Sequence, residues 1–216
     1  MAKTHEPIRV AVNVMRARLT ILGFNLAIIT FQINELRILG GGIKLPGLEQ
    51  AFYLSAAAAL FLGLALSFTA MICFIASNAL DREGTCNHWS LLAGDLLMYL
   101  ALAQTVAGFF GAFMSELDQV QLPDPQEARM YALVIGAIHL AGGIAWAMSI
   151  YLGPLVSLLR SPYGHRITVA LGLAYLLLLL LVVRVWAAAL LLEVQRPALD
   201  GTVQSWLGGL VAPFFW

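Results

Sequence analysis

Five long apolar stretches, separated by short polar segments, dominate the pattern of hydrophobic positions along this chain. Each continues for more than 20 positions, which is too long for a strand and for the one-sided apolar face of a soluble helix. A helix rises about 1.5 Å per residue, so about 20 apolar residues cross the hydrocarbon core of a bilayer. The pattern predicts an all-α, polytopic membrane helix bundle of about five transmembrane helices, at residues 19–39, 51–76, 89–114, 130–156 and 167–192.

Polar segments divide the chain into three parts. A basic N-terminal segment, residues 1–18, precedes the transmembrane bundle at residues 19–192, and residues 193–216 follow it. The Gly-rich turn at 40–42 ends helix 1, because the backbone there does not favour a helix. Residues 115–129, which include Pro123 and Pro125, are predicted to form an acidic loop. The end of the chain is too short to span and is predicted to lie as an external loop and an interfacial tail.

Lysine and arginine in the short connecting segments predict the orientation, since cytoplasmic loops carry an excess of both. With the N-terminus in the cytoplasm, the inner side holds seven of them: Lys3, Arg9, Arg16, Arg18, Arg82, Arg160 and Arg166. The outer side then holds four: Arg37, Lys44, Arg129 and Arg196. We therefore expect a cytoplasmic N-terminus, an external C-terminus and a location in a bacterial inner membrane, with the lipid bilayer as a partner.

Composition and motifs exclude several classes of function. Of 216 residues, 61% are hydrophobic and 11% are charged, against about a quarter charged in a soluble domain, and the formal net charge of zero does not favour nucleic acid. No hydrolase, phosphate-loop or dinucleotide-binding motif occurs, so we predict that the chain is not an enzyme.

No cofactor or metal site is predicted either. Cys73 and Cys86 lack the spacing of a metal or disulfide motif and are interpreted as free thiols. The two lysines both lie outside the predicted helices, which excludes a retinal Schiff base. His88 and His139 lie at depths too different for the two faces of one haem.

Several ionisable or amide residues lie inside the predicted helices, where such groups are expensive and are functional candidates by default. Asp95 lies near the cytoplasmic edge, and it either has a function or is solvated or bonded to a neighbouring helix. In the outer half we predict a polar layer close to Glu35, formed by Gln32, Gln104, His139 and Arg184. This layer is either a substrate or ion site or a packing device in which Arg184 reaches outward and pairs with Glu35.

A stripe of basic, small and polar residues runs along helix 1. At about 100° per residue, its members fall within about 40° of one line: Arg9, Arg16, Thr20, Gly23, Ala27, Thr30 and Asn34. Such a stripe lets helices approach closely, as the pairs Gly108/Ala112 and Gly143/Ala147 also would. Alternatively, several copies of helix 1 surround an axis and line a water-filled path.

The start of helix 1 resembles the first helix of the YidH-like membrane domain, which also occurs in polyphosphate polymerases. The likeness rests on Arg9 and Arg16, seven residues apart, followed by Gly23-Phe24. Members of that family usually have three helices and carry Arg-Thr dipeptides, where this chain has Val10 and Ala17.

The same stretch also resembles the pore helix of Orai calcium channels. There, too, an arginine precedes a Gly-Phe dipeptide by seven residues, as Arg16 does here, and the following loop reads Pro46-Gly47-Leu48. Phe31 stands where that family has its selectivity glutamate, so calcium selectivity does not carry over. Both resemblances imply that helix 1 lines a path.

Two functions follow as hypotheses. The first is a homo-oligomeric channel or conduit for ions or small solutes, lined by Arg9, Arg16, Thr20, Gly23, Ala27, Thr30 and Asn34, with Glu35 at the outer exit. The second is a non-catalytic accessory or anchoring subunit that associates with other membrane subunits. A symmetric homo-oligomer would favour the first hypothesis, and co-purification with unrelated subunits would favour the second.

Overall fold

The computed structural model describes residues 5–39, 53–80, 88–117, 120 and 122–194, which are 92% helical and contain no strand. Five helical segments among them are long and apolar enough to cross a membrane. The prediction of an all-α, multi-pass membrane bundle is confirmed. The remaining residues, which include Cys86 and almost all of the predicted tail, lie outside the described part.

The described residues form six α-helices and one π-helical turn. Their bounds are α1 His5–Leu39, α2 Leu54–Leu80, α3 Ser90–Leu117, α4 Pro125–Ala147, the π turn Met148–Leu152, α5 Gly153–Leu159 and α6 His165–Val194. Helix α4, the π turn and α5 follow one another without a break, and together they form one span, Pro125–Leu159.

Two helices begin earlier along the chain than the predicted spans do. Helix α1 begins at His5 instead of Leu19, so much of the basic N-terminal segment continues the first transmembrane helix. Pro125 is the first residue of α4, although the sequence places it in a loop. Asp124 caps this helix, because its side chain accepts a hydrogen bond of 2.9 Å from the backbone N–H of Gln126. Proline suits the first helical position, since the N–H it lacks would have no helical partner there.

Helix α3 lies at the centre of the bundle and α1 lies at its edge. Of the most apolar part of each span, 56% is buried in α3 and 22% in α1. Helix α3 packs against α1, α2, α4, α5 and α6, and its interface with α2 is the most extensive in the bundle. Helix α1 packs principally against α2 and α3.

Close contact between α2 and α3 depends on glycines of α3. A Cβ atom on Gly94 would lie 2.6 Å from the ring of Phe74, and one on Gly108 would lie 2.6 Å from Leu60 Cγ. Ala112, one turn beyond Gly108, is also buried. The predicted small-residue pair Gly108/Ala112 is therefore a packing face, as such pairs are in other membrane helices.

Large apolar side chains cover the outside of the bundle. Among the most exposed are Phe24, Ile72, Leu133, Leu159 and Leu177. A monomeric protein in water rarely exposes continuous apolar surface of this kind, whereas the hydrocarbon of a bilayer matches it. The exposed surface therefore agrees with the transmembrane assignment.

Hydrogen bonds tie the helices together near both ends of the bundle. On the N-terminal side, where α1 begins, the Tyr163 hydroxyl donates to the backbone oxygen of His88 at 2.8 Å. On the opposite side, which we call the far side, the Tyr53 hydroxyl donates to Glu116, and the backbone N–H of Ser55 donates to Glu193 Oε2 at 3.1 Å. These contacts join α2 to α3 and α6 at the far side.

Candidate functional site

The packing face of α1 repeats every seven residues. Met15, Leu22, Ile29 and Leu36 are buried at this spacing against α2 and α3. Three residues after each of the first three comes a polar side chain, in the order Arg18, Asn25, Gln32. A seven-residue repeat with two positions per repeat keeps one face of a helix against its neighbours along its whole length. Polar groups therefore recur on the face of α1 that is turned into the bundle.

Arg18 and Asp95 form an ion pair at the N-terminal side of the bundle. Arg18 Nε donates to Asp95 Oδ1 at 2.5 Å, and Arg18 Nη2 donates to Oδ2 at 2.7 Å. The Arg18 guanidinium also lies over the Phe74 ring, 5.9 Å from its centroid. The relative exposure of the two side chains is 22% for Arg18 and 10% for Asp95. The interface is therefore largely dehydrated, and each charge compensates the other there. This two-pronged contact joins α1 to α3 and, together with the buried face of α1, holds the rotation of α1 relative to α3.

Deeper along α1, Asn25 donates from its amide nitrogen to the hydroxyl of Ser67 on α2 at 3.0 Å, and both side chains are fully buried. Gln32, one repeat further, is half-buried. A Cβ atom on Gly63 of α2 would lie 3.3 Å from Gln104 Cβ and 3.4 Å from Ile29 Cδ1. The absence of a side chain at Gly63 therefore lets α1, α2 and α3 meet closely beyond the Asn25 level.

The stripe predicted on α1 points away from the bundle. Its members Arg16, Thr20, Gly23, Ala27, Thr30 and Asn34 are all exposed. Their centre lies roughly 150° around the helix from the buried face, at about 100° per residue. A Cβ atom on Gly23 would meet nothing within 4 Å, and the Thr30 hydroxyl donates to the backbone oxygen of Leu26 in its own helix. Packing inside one chain therefore does not account for these small residues.

Arg9 and Glu35 are the other two residues of the predicted path lining. Arg9 belongs to α1, but its side chain lies outside the described part of the chain. Glu35 is half-buried near the far end of the same helix.

A second exposed strip of α1 lies next to the stripe and differs from it in size and polarity. It consists of large apolar residues: Ile21, Phe24, Ile28 and Phe31. Large apolar groups suit contact with lipid chains, whereas small and polar residues suit contact with another helix or with water. The outward surface of α1 thus has two parts with different chemistry.

The predicted outer polar layer is distributed over several helices. Gln104 on α3 is buried, His139 on α4 is half-buried, and Arg184 on α6 is exposed. Among the residues that the structure describes, His139 Nε2 is buried without a hydrogen-bond partner. Gln32 and Gln104 belong to helices that pack together, and α4, which carries His139, also packs against α3. Helix α6, which carries Arg184, packs chiefly against α2.

Arg18 and Asn25 are the site residues that the sequence reasoning missed. Arg18 is assigned there to the cytoplasmic segment, whereas the structure places its guanidinium against Asp95 on a transmembrane helix. Asn25 is not singled out at all, although its amide is buried at the centre of α1. The seven-residue spacing of Met15, Leu22 and Ile29 is the signal that could have found both residues, because it marks the buried face on which they lie.

The candidate functional site is therefore the exposed stripe of α1, which the Arg18–Asp95 pair holds turned outward. In the part of the chain with described side chains, no group of three or more His, Cys, Asp or Glu residues is placed to hold a metal ion. Comparison of the chain with protein-family models, with curated proteins and with solved structures finds no match.

Proposed function

We propose that the chain assembles with copies of itself into a membrane channel or conduit for ions or small solutes, with the stripe of α1 nearest the axis. One observation carries this proposal: the stripe faces away from the bundle on a helix at the bundle's edge. Copies arranged around an axis would therefore have α1 innermost and the other helices outside it. The resemblance of α1 to a known pore helix points in the same direction.

The residues of the stripe suit such a path. Arg16 lies at the N-terminal side, where exposed guanidinium groups of several copies would attract anions. Gly23 and Ala27 would leave space around the axis, and Asn34 would offer an amide to a passing solute. Arg9 would add a second ring of charge at the same mouth, and Glu35 would lie at the far exit.

Replacing Arg16 with glutamate is expected to reverse the ion preference of the reconstituted protein. The substitution changes the charge at the mouth by two units per copy, so anions are repelled where they were attracted. Reversal potentials measured across planar bilayers in a salt gradient report this preference. Arg160→Glu is the matched control, since Arg160 is exposed on the same side of the bundle but lies off α1. Unchanged currents in Arg16→Glu would remove α1 from the path.

The second candidate function is an accessory or anchoring subunit of a larger membrane complex. The exposed stripe favours it as well, because small residues let a helix of another protein approach closely. The Thr30 hydroxyl is already bonded to its own backbone, so this residue needs no water-filled surroundings. In this case the partner would be a helix of an unrelated subunit.

Crosslinking through the stripe separates the two candidates. With Cys73 and Cys86 replaced by serine, Ala27→Cys is expected to form a disulfide between two copies on mild oxidation, because the stripes of neighbouring copies meet. Ile28→Cys is the control, since Ile28 belongs to the large apolar strip beside it. A symmetric homo-oligomer in mild detergent supports the channel. No crosslink at Ala27, together with co-purifying unrelated subunits, would support the accessory role instead.

We also infer that the N-terminus is cytoplasmic and that the membrane is a bacterial inner membrane. Seven lysines and arginines on one side against four on the other support the orientation. Labelling of single cysteines by a membrane-impermeant reagent tests it. A cysteine introduced at Ser161, between α5 and α6, should react only after the membrane is opened.

A further inference from the structure

A small cavity lies between α3, the end of α4 with the π turn that follows it, and α6, with a volume of about 20 Å³. Gln104 is the polar residue of its wall, and the rest is aliphatic or indole: Ala107, Trp146, Ile150, Val182, Val183 and Trp186. Gln104 lies about 15 Å along α3 from Met114, at the far end of that span. The cavity is therefore deep in the hydrocarbon region.

Gln104 lines this cavity, and its side-chain amide carries an unsatisfied group. The residue is 4% exposed, and among the described residues its Oε1 atom has no hydrogen-bond partner. A buried acceptor in this state costs about 1–3 kcal/mol, and lipid chains offer no donor that could replace the missing one. A buried amide with a free acceptor beside a cavity is the arrangement expected of a binding site for a molecule with a hydrogen-bond donor.

The opposite wall of the cavity is formed by the irregular part of the fourth span. The π turn widens the helix at Met148–Leu152, and the buried side chain of Ile150 lines the cavity. The Tyr175 hydroxyl donates to the backbone oxygen of Ile150 at 2.6 Å and so holds the turn from α6. π turns of this kind are frequent at functional sites. The hydrogen bond from Tyr175 therefore stabilises the π turn that forms this wall of the cavity.

We propose that this cavity binds the polar end of a lipid-soluble alcohol or phenol, whose hydroxyl group hydrogen-bonds to the Gln104 amide. A hydroxyl group can donate, so it supplies the hydrogen bond that the Gln104 Oε1 acceptor lacks. A volume of about 20 Å³ holds one water-sized group, which admits a hydroxyl and excludes a charged lipid head group. Trp186 is half-buried whereas the other wall residues near it are buried, so the apolar body of the ligand leaves the cavity past Trp186 towards the lipid. This site is independent of the stripe on α1.

Trp146 and Trp186 line the cavity, so their fluorescence reports whether a ligand binds there. The full-length protein in lipid nanodiscs is titrated with a fatty alcohol that carries bromine in its chain, because bromine quenches tryptophan fluorescence on contact. The probe for comparison is the methyl ether of the same brominated alcohol, which is equally apolar and cannot donate. We expect the alcohol to bind about fivefold more tightly than the ether, as one net hydrogen bond allows.

Variants test whether Gln104 causes the difference in affinity between the alcohol and the ether. In Gln104→Leu, which keeps the size of the side chain, the ratio of the two affinities should fall to about one. In Thr105→Val it should remain, since the neighbouring Thr105 hydroxyl is already bonded to the backbone oxygen of Ala101. Replacing both Trp146 and Trp186 with phenylalanine should remove the saturable quenching. Equal binding of alcohol and ether to the unmodified protein would overturn the proposal without any variant, and so would a ratio that persists in Gln104→Leu.

Discussion

Replacing Asp95 with asparagine is expected to lower the free energy of unfolding by about 3 kcal/mol. Removal of one partner of a buried ion pair leaves the other charge uncompensated, which costs about 3–5 kcal/mol. The lower end of this range applies, because Arg18 keeps 22% of its side-chain exposure. Asparagine has nearly the volume of aspartate, so the change measures charge and not packing. Equilibrium unfolding in mixed detergent micelles provides the measurement.

The double variant Arg18→Met with Asp95→Asn makes this prediction sharper. It removes both charges, so we expect it to be more stable than either single variant. Glu127→Gln is the control for loss of an exposed carboxylate, and it should change the free energy of unfolding by less than about 1 kcal/mol. Additive losses in the double variant would show that the ion pair does not couple α1 to α3.

Replacing Gly108 with alanine is expected to destabilise the bundle by about 2 kcal/mol. The added Cβ atom would lie 2.6 Å from Leu60 Cγ and 3.0 Å from the backbone oxygen of Ala56. Leu60 Cγ is a branch point that cannot swing aside, and the oxygen belongs to the backbone of α2. Helices α2 and α3 would have to separate, and overpacking of this kind costs about 1–3 kcal/mol.

Gly111→Ala is the matched control for this prediction. Gly111 lies one turn further along the same helix, where a Cβ atom would meet nothing within 4 Å. Alanine is the better helix former by about 1 kcal/mol, so this variant should be as stable as the parent protein or more stable. Equal effects of the two substitutions would show that the close approach at Gly108 does not limit the interface.

The two predictions test the two elements that present the stripe of α1. The α2–α3 interface forms the rigid support, and the Arg18–Asp95 pair orients α1 on it. Because the stripe lies roughly opposite the buried face of α1, rotation of this helix would turn the small residues towards the bundle or the lipid. Asp95→Asn should therefore also reduce the Ala27→Cys crosslink between copies, whereas the Gly111→Ala control should leave it unchanged.

At the candidate site, the sequence predicts the stripe of α1 but not the direction in which it faces. The spacing of Arg16, Thr20 and Gly23 places them on one line of a helix, because that depends only on helix geometry. Whether this line faces neighbouring helices or the outside is not a local property. The stripe faces outward because another face of α1, formed by Met15, Leu22 and Ile29, consists of large apolar residues and is the one buried against α2 and α3. The stripe was therefore predictable as a pattern but not as an outward face.

The ion pair and the cavity show where sequence reasoning stops. Arg18 and Asp95 are 77 positions apart, and each alone resembles a charge near the membrane surface. Their contact needs the register of α1 against α3, which arises from side-chain packing along both helices. The cavity at Gln104 similarly requires three helices and the π turn, which no periodicity of the sequence marks.

The sequence by itself determined that the described part of this chain is a bundle with five helical segments long and apolar enough to cross lipid, because length and apolar character are local properties of each helix. Tertiary structure alone decided which face of α1 is buried, which charges meet and where the unsatisfied amide of Gln104 lies. The physical reason is that these features depend on the relative rotation and depth of helices that are distant along the chain. Close packing between side chains sets that rotation and depth, and composition does not.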